Sequence, residues 1–196
     1  MTETLILAFL RLHQTFTVYP QETAMTHQQT PADPVTQAGS DLFDFAIDRE
    51  DVKWLMARLP EAAAVKRPAV EHELQILKII TVGWSIAFCL ADSPSKTPLS
   101  ETFWSAIQEF ARGLSQTTEL MIGHDIDYFK TLHQRLDMYV AAIDRNPETP
   151  EPAAVIGPTF AYACGNAEDI FTAMTGSKLF ATTLGRVRAY LEAIDL

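Results

Sequence analysis

The stretch "RPAVEHELQILKIITVGWSIAFCLAD", residues 67–92, decides the fold. Val70, Leu74, Leu77, Thr81, Trp84 and Phe88 recur at steps of 4, 3, 4, 3 and 4, the spacing that stacks side chains along one face of an α-helix. Ile76, Ile79, Ile80, Ile86 and Leu90 fill the other faces of its second half. A helix that is apolar all round must be surrounded by other elements, so this one is predicted to stand at the centre of a bundle. Arg67-Pro68 supplies the start, since proline in a first turn forfeits no helical hydrogen bond. The uncharged run from Ile79 to Ala91 lies between Lys78 and Asp92. That is well short of the ~20 residues of a spanning helix, and no membrane span is expected.

The chain on either side carries the same periodicity. Downstream, "SPSKTPLSE" breaks the helix and restarts it, with Thr97 as N-cap, Pro98 in the first turn and Glu101 at the positive end of the dipole. Phe103, Ile107, Phe110, Leu114, Thr117 and Met121 form the next seam, and Gly123 stops it. Phe129, Leu132, Leu136, Tyr139 and Ile143 form a third. Short connections between three long helices predict antiparallel neighbours. In the C-terminal third, "GPTFAYACG" reads as a short helix begun by Pro158 and ended by Gly165, and "AEDIFTAM" as another. Gly176-Ser177 then caps a last helix carrying Phe180, Leu184, Val187, Leu191 and Ile194. Upstream, "DREDVKWLMARLP" predicts a helix of about 11 residues with Asp48 as N-cap and Pro60 as terminator. No run alternates with period two. The fold class is therefore all-α: an irregular helical bundle of about five to seven helices, with three long central antiparallel helices.

Residues 20–40, "PQETAMTHQQTPADPVTQAGS", are rich in Gln, Thr and Pro and lack apolar periodicity, the composition of a flexible linker. They divide the chain into an N-terminal apolar helix over 1–19, the linker, and a helical domain over 41–196. Leu5, Ile6, Phe9, Leu12 and Phe16 share one helical face, and such a face needs a surface to cover it. Glu3, Arg11 and His13 make this segment a poor signal peptide.

The 196 residues are 47% hydrophobic, and 15 Lys and Arg stand against 25 Asp and Glu, for a net charge of −10. Lys66-Arg67 is the only local basic cluster, so nucleic acid and anionic membranes are unsuitable partners. Cys89 and Cys164 belong to no CxxC or zinc spacing. Buried thiols in a reducing, cytoplasmic setting are expected.

Several clusters invite a chemical interpretation. In "GHDIDYFKTLHQRLDMY", residues 123–139, a turn of about 100° per residue sends His124 and His133 to opposite flanks of the buried face. Asp127, Lys130, Gln134 and Asp137 then share the solvent side. In "VEHELQ", His72 points away from the polar stripe of Glu71, Gln75 and Lys78. Neither Glu-x-x-His nor HExxH occurs, and no glycine-rich loop has phosphate-binding spacing. No metal, cofactor or catalytic residue is expected, and Gly176, Ser177 and Lys178 read as a helix start. Trp104, one residue past the Phe103 seam position, is expected to face a partner or pocket. The first functional expectation is a protein-interaction or adaptor domain, with a protein partner or a homodimer. The alternative is a small-molecule-binding or enzymatic domain in which Glu71, His72, Tyr128 and Tyr162 converge on an internal pocket.

Overall fold

A computed structural model describes residues 33–123 and 127–196. Among them are seven helices and no strand: α1 (Pro34–Ile47), α2 (Glu50–Met56), α3 (Arg67–Cys89), α4 (Lys96–Ile122), α5 (Tyr128–Asp144), α6 (Pro152–Ala163) and α7 (Ile170–Ala193). The protein is an irregular all-α bundle. Every residue of α3 from Ile76 to Gly83 is buried, and α3 touches each of the other six described helices. Its buried hydroxyls stay satisfied within the helix, Thr81 donating to the Leu77 carbonyl at 2.7 Å and Ser85 to that of Thr81 at 2.6 Å. Helices α3 and α4 run antiparallel. Gly83 lies against Trp104, while His72, near the opposite end of α3, shares a hollow with Leu114. Gly123 ends α4 in the left-handed conformation, with φ 69°.

The boundaries depart from the sequence expectation in four places. Helix α1 starts at Pro34, inside the expected 20–40 linker. Its buried stripe is Ala38, Gly39, Leu42 and Ala46, made mostly of small residues that an apolar-periodicity search passes over. The gain is close approach: a β-carbon on Gly39 would lie 2.4 Å from Thr102. The expected apolar helix at 1–19 and the linker up to residue 32 lie outside the described residues. Helix α2 is shorter than predicted, and Asp48 caps it from two residues before, its carboxylate accepting from the Glu50 amide at 3.2 Å. Helix α4 begins at Lys96 instead of Pro98.

The largest correction concerns the C-terminal third. Helix α6 starts at Pro152 and carries Pro158 inside it, while α7 starts at Ile170 and continues through Gly176. Asp169 is the true cap, accepting from the Thr172 amide at 2.7 Å. It also accepts from the Ala64 amide at 2.7 Å, and these amides, Thr172 first, hold its carboxyl below the usual range. Gly176 is a packing residue: a β-carbon there would lie 2.6 Å from the Phe160 ring. A β-carbon on Gly157 would lie 2.2 Å from the Ser177 hydroxyl and 2.6 Å from the Ala173 carbonyl oxygen. Ser177, expected as a cap, donates to the Ala153 carbonyl at 2.7 Å and fastens α7 to α6. The expected helix start at Gly176, Ser177 and Lys178 is therefore mid-helix, and Lys178 rests on the Trp54 ring at 4.4 Å.

Candidate functional site

Three seams that the sequence assigns to the core are partly uncovered at one place. Val70, Leu74, Leu77 and Thr81 of α3 are buried, but Trp84 is partly exposed and Phe88 is 36% exposed. Leu132, Leu136 and Tyr139 of α5 are buried, and Ile143 is partly exposed. Phe180 of α7 is buried, and Leu184 is partly exposed. These partly exposed positions line a groove of about 440 Å³ between α3, α5, α6 and α7, and Val187 and Leu191 of α7 are buried again beyond it. Trp84 and Phe180 meet edge to face at 5.2 Å, a packed aromatic pair of the kind that anchors interfaces. Ala153 and Ala181 keep the adjoining walls low.

Charges stand only at the margin. Asp144, Glu151 and Arg188 border the groove. The Arg188 guanidinium lies 5.8 Å from the centre of the Phe88 ring. It also hydrogen-bonds the Cys89 thiol, whose pKa burial nonetheless pushes up. The arrangement is an apolar trough with a polar rim.

Of the five residues singled out in the sequence, three meet. Glu71, His72 and Tyr128 border a second hollow of about 410 Å³, with Arg49, Gln75 and Ser115. Some of its polar groups have partners: Arg49 is paired with Glu71, Gln75 donates to the Ala46 carbonyl at 2.8 Å, and the Tyr128 backbone amide donates to Ser115 at 3.2 Å, whereas the Gln75 Oε1 is buried without a hydrogen bond. His72 meets the Tyr128 ring edge to face at 6.0 Å. Burial, and then the Glu73 carboxylate, push the Tyr128 hydroxyl up to about 12. Tyr162 does not line this hollow; it is 67% exposed on α6. Trp104 is only 8% exposed, wedged against Gly83 and Phe103. Helices α1 and α3 both pack on α4, so its buried arc is wider than one seam and includes Trp104.

The sequence expectation missed a buried charge pair. Glu73 is 5% exposed and accepts two hydrogen bonds from Arg135, at 2.8 and 2.7 Å. Residues 62 apart carry no local signal of pairing. The Cys164 thiol is pushed up to about 12, first by burial and then by Glu73. It therefore stays protonated at neutral pH, and a thiol is a poor nucleophile. Tyr139, buried beneath the groove, is pushed higher still by the same two causes. Lys78, which the sequence places in a polar stripe with Glu71 and Gln75, is fully buried as well: its ammonium donates to the Asp48 carbonyl at 2.9 Å and lies 3.2 Å from Asp51.

Among the described residues no group of three or more His, Cys, Asp or Glu side chains is placed to hold a metal ion. No described helix is long and apolar enough to cross a membrane. No protein-family model, curated protein or solved structure matches the chain.

Proposed function

We propose that the domain is a protein-interaction module that takes an amphipathic helix into the groove between α3, α5, α6 and α7. The observation that carries this reading is the convergence of Phe88, Ile143 and Leu184, each the next position of a core seam, on one partly uncovered trough. Helix-in-groove recognition uses apolar anchors at i, i+3, i+4 and i+7 against such a surface, with rim charges setting orientation. The net charge of −10 supports a protein ligand over a nucleic acid.

The test is a selection from displayed peptides carrying that apolar spacing, against scrambled peptides of equal composition. It uses the full chain bearing Leu5→Asp and Phe9→Asp, so that the chain's own apolar stripe does not compete. Patterned peptides are expected to be enriched, and Ala181→Glu should abolish their binding while leaving the unfolding midpoint nearly unchanged, because Ala181 is an exposed groove residue. Equal recovery of patterned and scrambled peptides, or binding that survives Ala181→Glu, would overturn the proposal.

A further inference from the structure

The groove is a core position without a cover among the described helices, and the sequence holds one apolar stripe without a surface. We infer that residues 1–19 of the same molecule occupy the groove, so that the module caps itself and a partner helix must displace its own N-terminal segment. This inference rests on the groove being a helix-binding surface.

Periodicity carries the first step. At about 100° per residue, Leu5, Ile6, Phe9, Leu12 and Phe16 fall within a face of about 120°, with Glu3 and Arg11 off it. A face of that width is that of an amphipathic helix, which needs a surface to cover it. Charge fits as well. Arg11 has Asp144 and Glu151 available on the rim, and Glu3 has Arg188.

Chain geometry carries the second step. The described chain begins at Asp33, the N-cap of α1, and Gly39 packs on Leu99 and Thr102 near the start of α4. That is the end of the bundle where α3 finishes, and Trp84, Ala87 and Phe88 of the groove lie in the last two turns of α3. Residues 20–32 extend to about 43 Å, against a radius of gyration of about 15 Å for a domain of this size. The segment thus reaches the groove without strain, at an effective concentration of the order of 1 mM.

The experiment uses full-length chains and a fluorescein-labelled synthetic peptide of residues 1–19. The chain bearing Leu5→Asp and Phe9→Asp should bind this peptide one to one, and added Ala181→Glu should abolish the binding. The wild-type chain should bind it at least about tenfold more weakly, the competition expected of a tethered copy whose free-peptide Kd is ~0.1 mM or tighter. Equal affinity for the two chains would overturn self-capping and leave the groove intact as a binding surface. So would binding of the selected peptides without binding of residues 1–19. Failure of both probes would remove the groove itself. A wild-type dimer in light scattering that Leu5→Asp and Phe9→Asp dissociate would place the segment in a second copy's groove, and the intramolecular assignment would fall.

Discussion

At the scale of the residue, Gly83 and Trp104 show how a small side chain directs a large one. A β-carbon on Gly83 would lie 2.3 Å from the Trp104 ring, so the absence of that atom is what lets the indole enter the core. The heptad position of Trp104 is readable from sequence, but the socket on another helix is not, and the sequence places the residue facing a partner or pocket. The pair yields a prediction of opposite signs. Alanine is the better helix former by about 1 kcal/mol, and Gly113 of α4 has open space where a β-carbon would go. Gly113→Ala should therefore stabilise the protein by about 0.4 to 1 kcal/mol. Gly83→Ala should destabilise it by about 1 to 3 kcal/mol, because the indole has to move out of a packed site. Urea midpoints giving both substitutions the same sign would contradict the packing at Gly83.

At the scale of the element, the seams of α3, α4 and α5 were legible because a repeat of threes and fours is a local property of the chain. The course of α6 and α7 was not. A glycine that admits a neighbouring ring, as Gly176 admits Phe160, looks in sequence like a glycine that ends a helix. Nor does periodicity set the rotation of one helix against another, and so the Glu73–Arg135 pair was invisible. That pair is asymmetric: the Glu73 side chain is 6% exposed and that of Arg135 28%. Removing Arg135 strands a carboxylate in the interior, whereas altering Glu73 leaves a guanidinium that water still reaches. Arg135→Met is expected to destabilise by about 3 to 5 kcal/mol. Glu73→Gln, which keeps an acceptor and the side-chain volume, should cost about 1 to 2 kcal/mol. Denaturant unfolding of the two variants checks the order, and a larger loss for Glu73→Gln would mean that Arg135, not Glu73, bears the burden of burial.

At the scale of the whole molecule, the fold keeps several tyrosine and cysteine groups protonated, and one of them ties α7 to α1. Tyr190 of α7 donates to Asp41 of α1 at 2.6 Å. Burial, then that bond, push its hydroxyl up to about 12, and the same bond draws the Asp41 carboxyl below its usual range. Tyr128 is also pushed to about 12, as is the Cys164 thiol, and Tyr139 goes higher. The ordinary values are 10.0 for tyrosine and 9.0 for cysteine. Above these values the unfolded chain releases protons that the native state retains, so the balance moves towards unfolding as pH rises. The stabilisation is complete below about pH 9 and is lost progressively between there and about pH 12. We expect the urea midpoint to fall across that window, and tyrosinate absorbance from these side chains to appear together with the loss of helical circular dichroism. The net charge of −10 adds self-repulsion over the same range, so the tyrosine contribution needs its own control. Tyr128→Phe removes one retained proton while keeping the ring, and the slope of stability against pH above about pH 10 should become shallower by about one proton. An unchanged slope in that variant, or tyrosinate absorbance that saturates while the helices remain intact, would show that repulsion alone drives the alkaline transition.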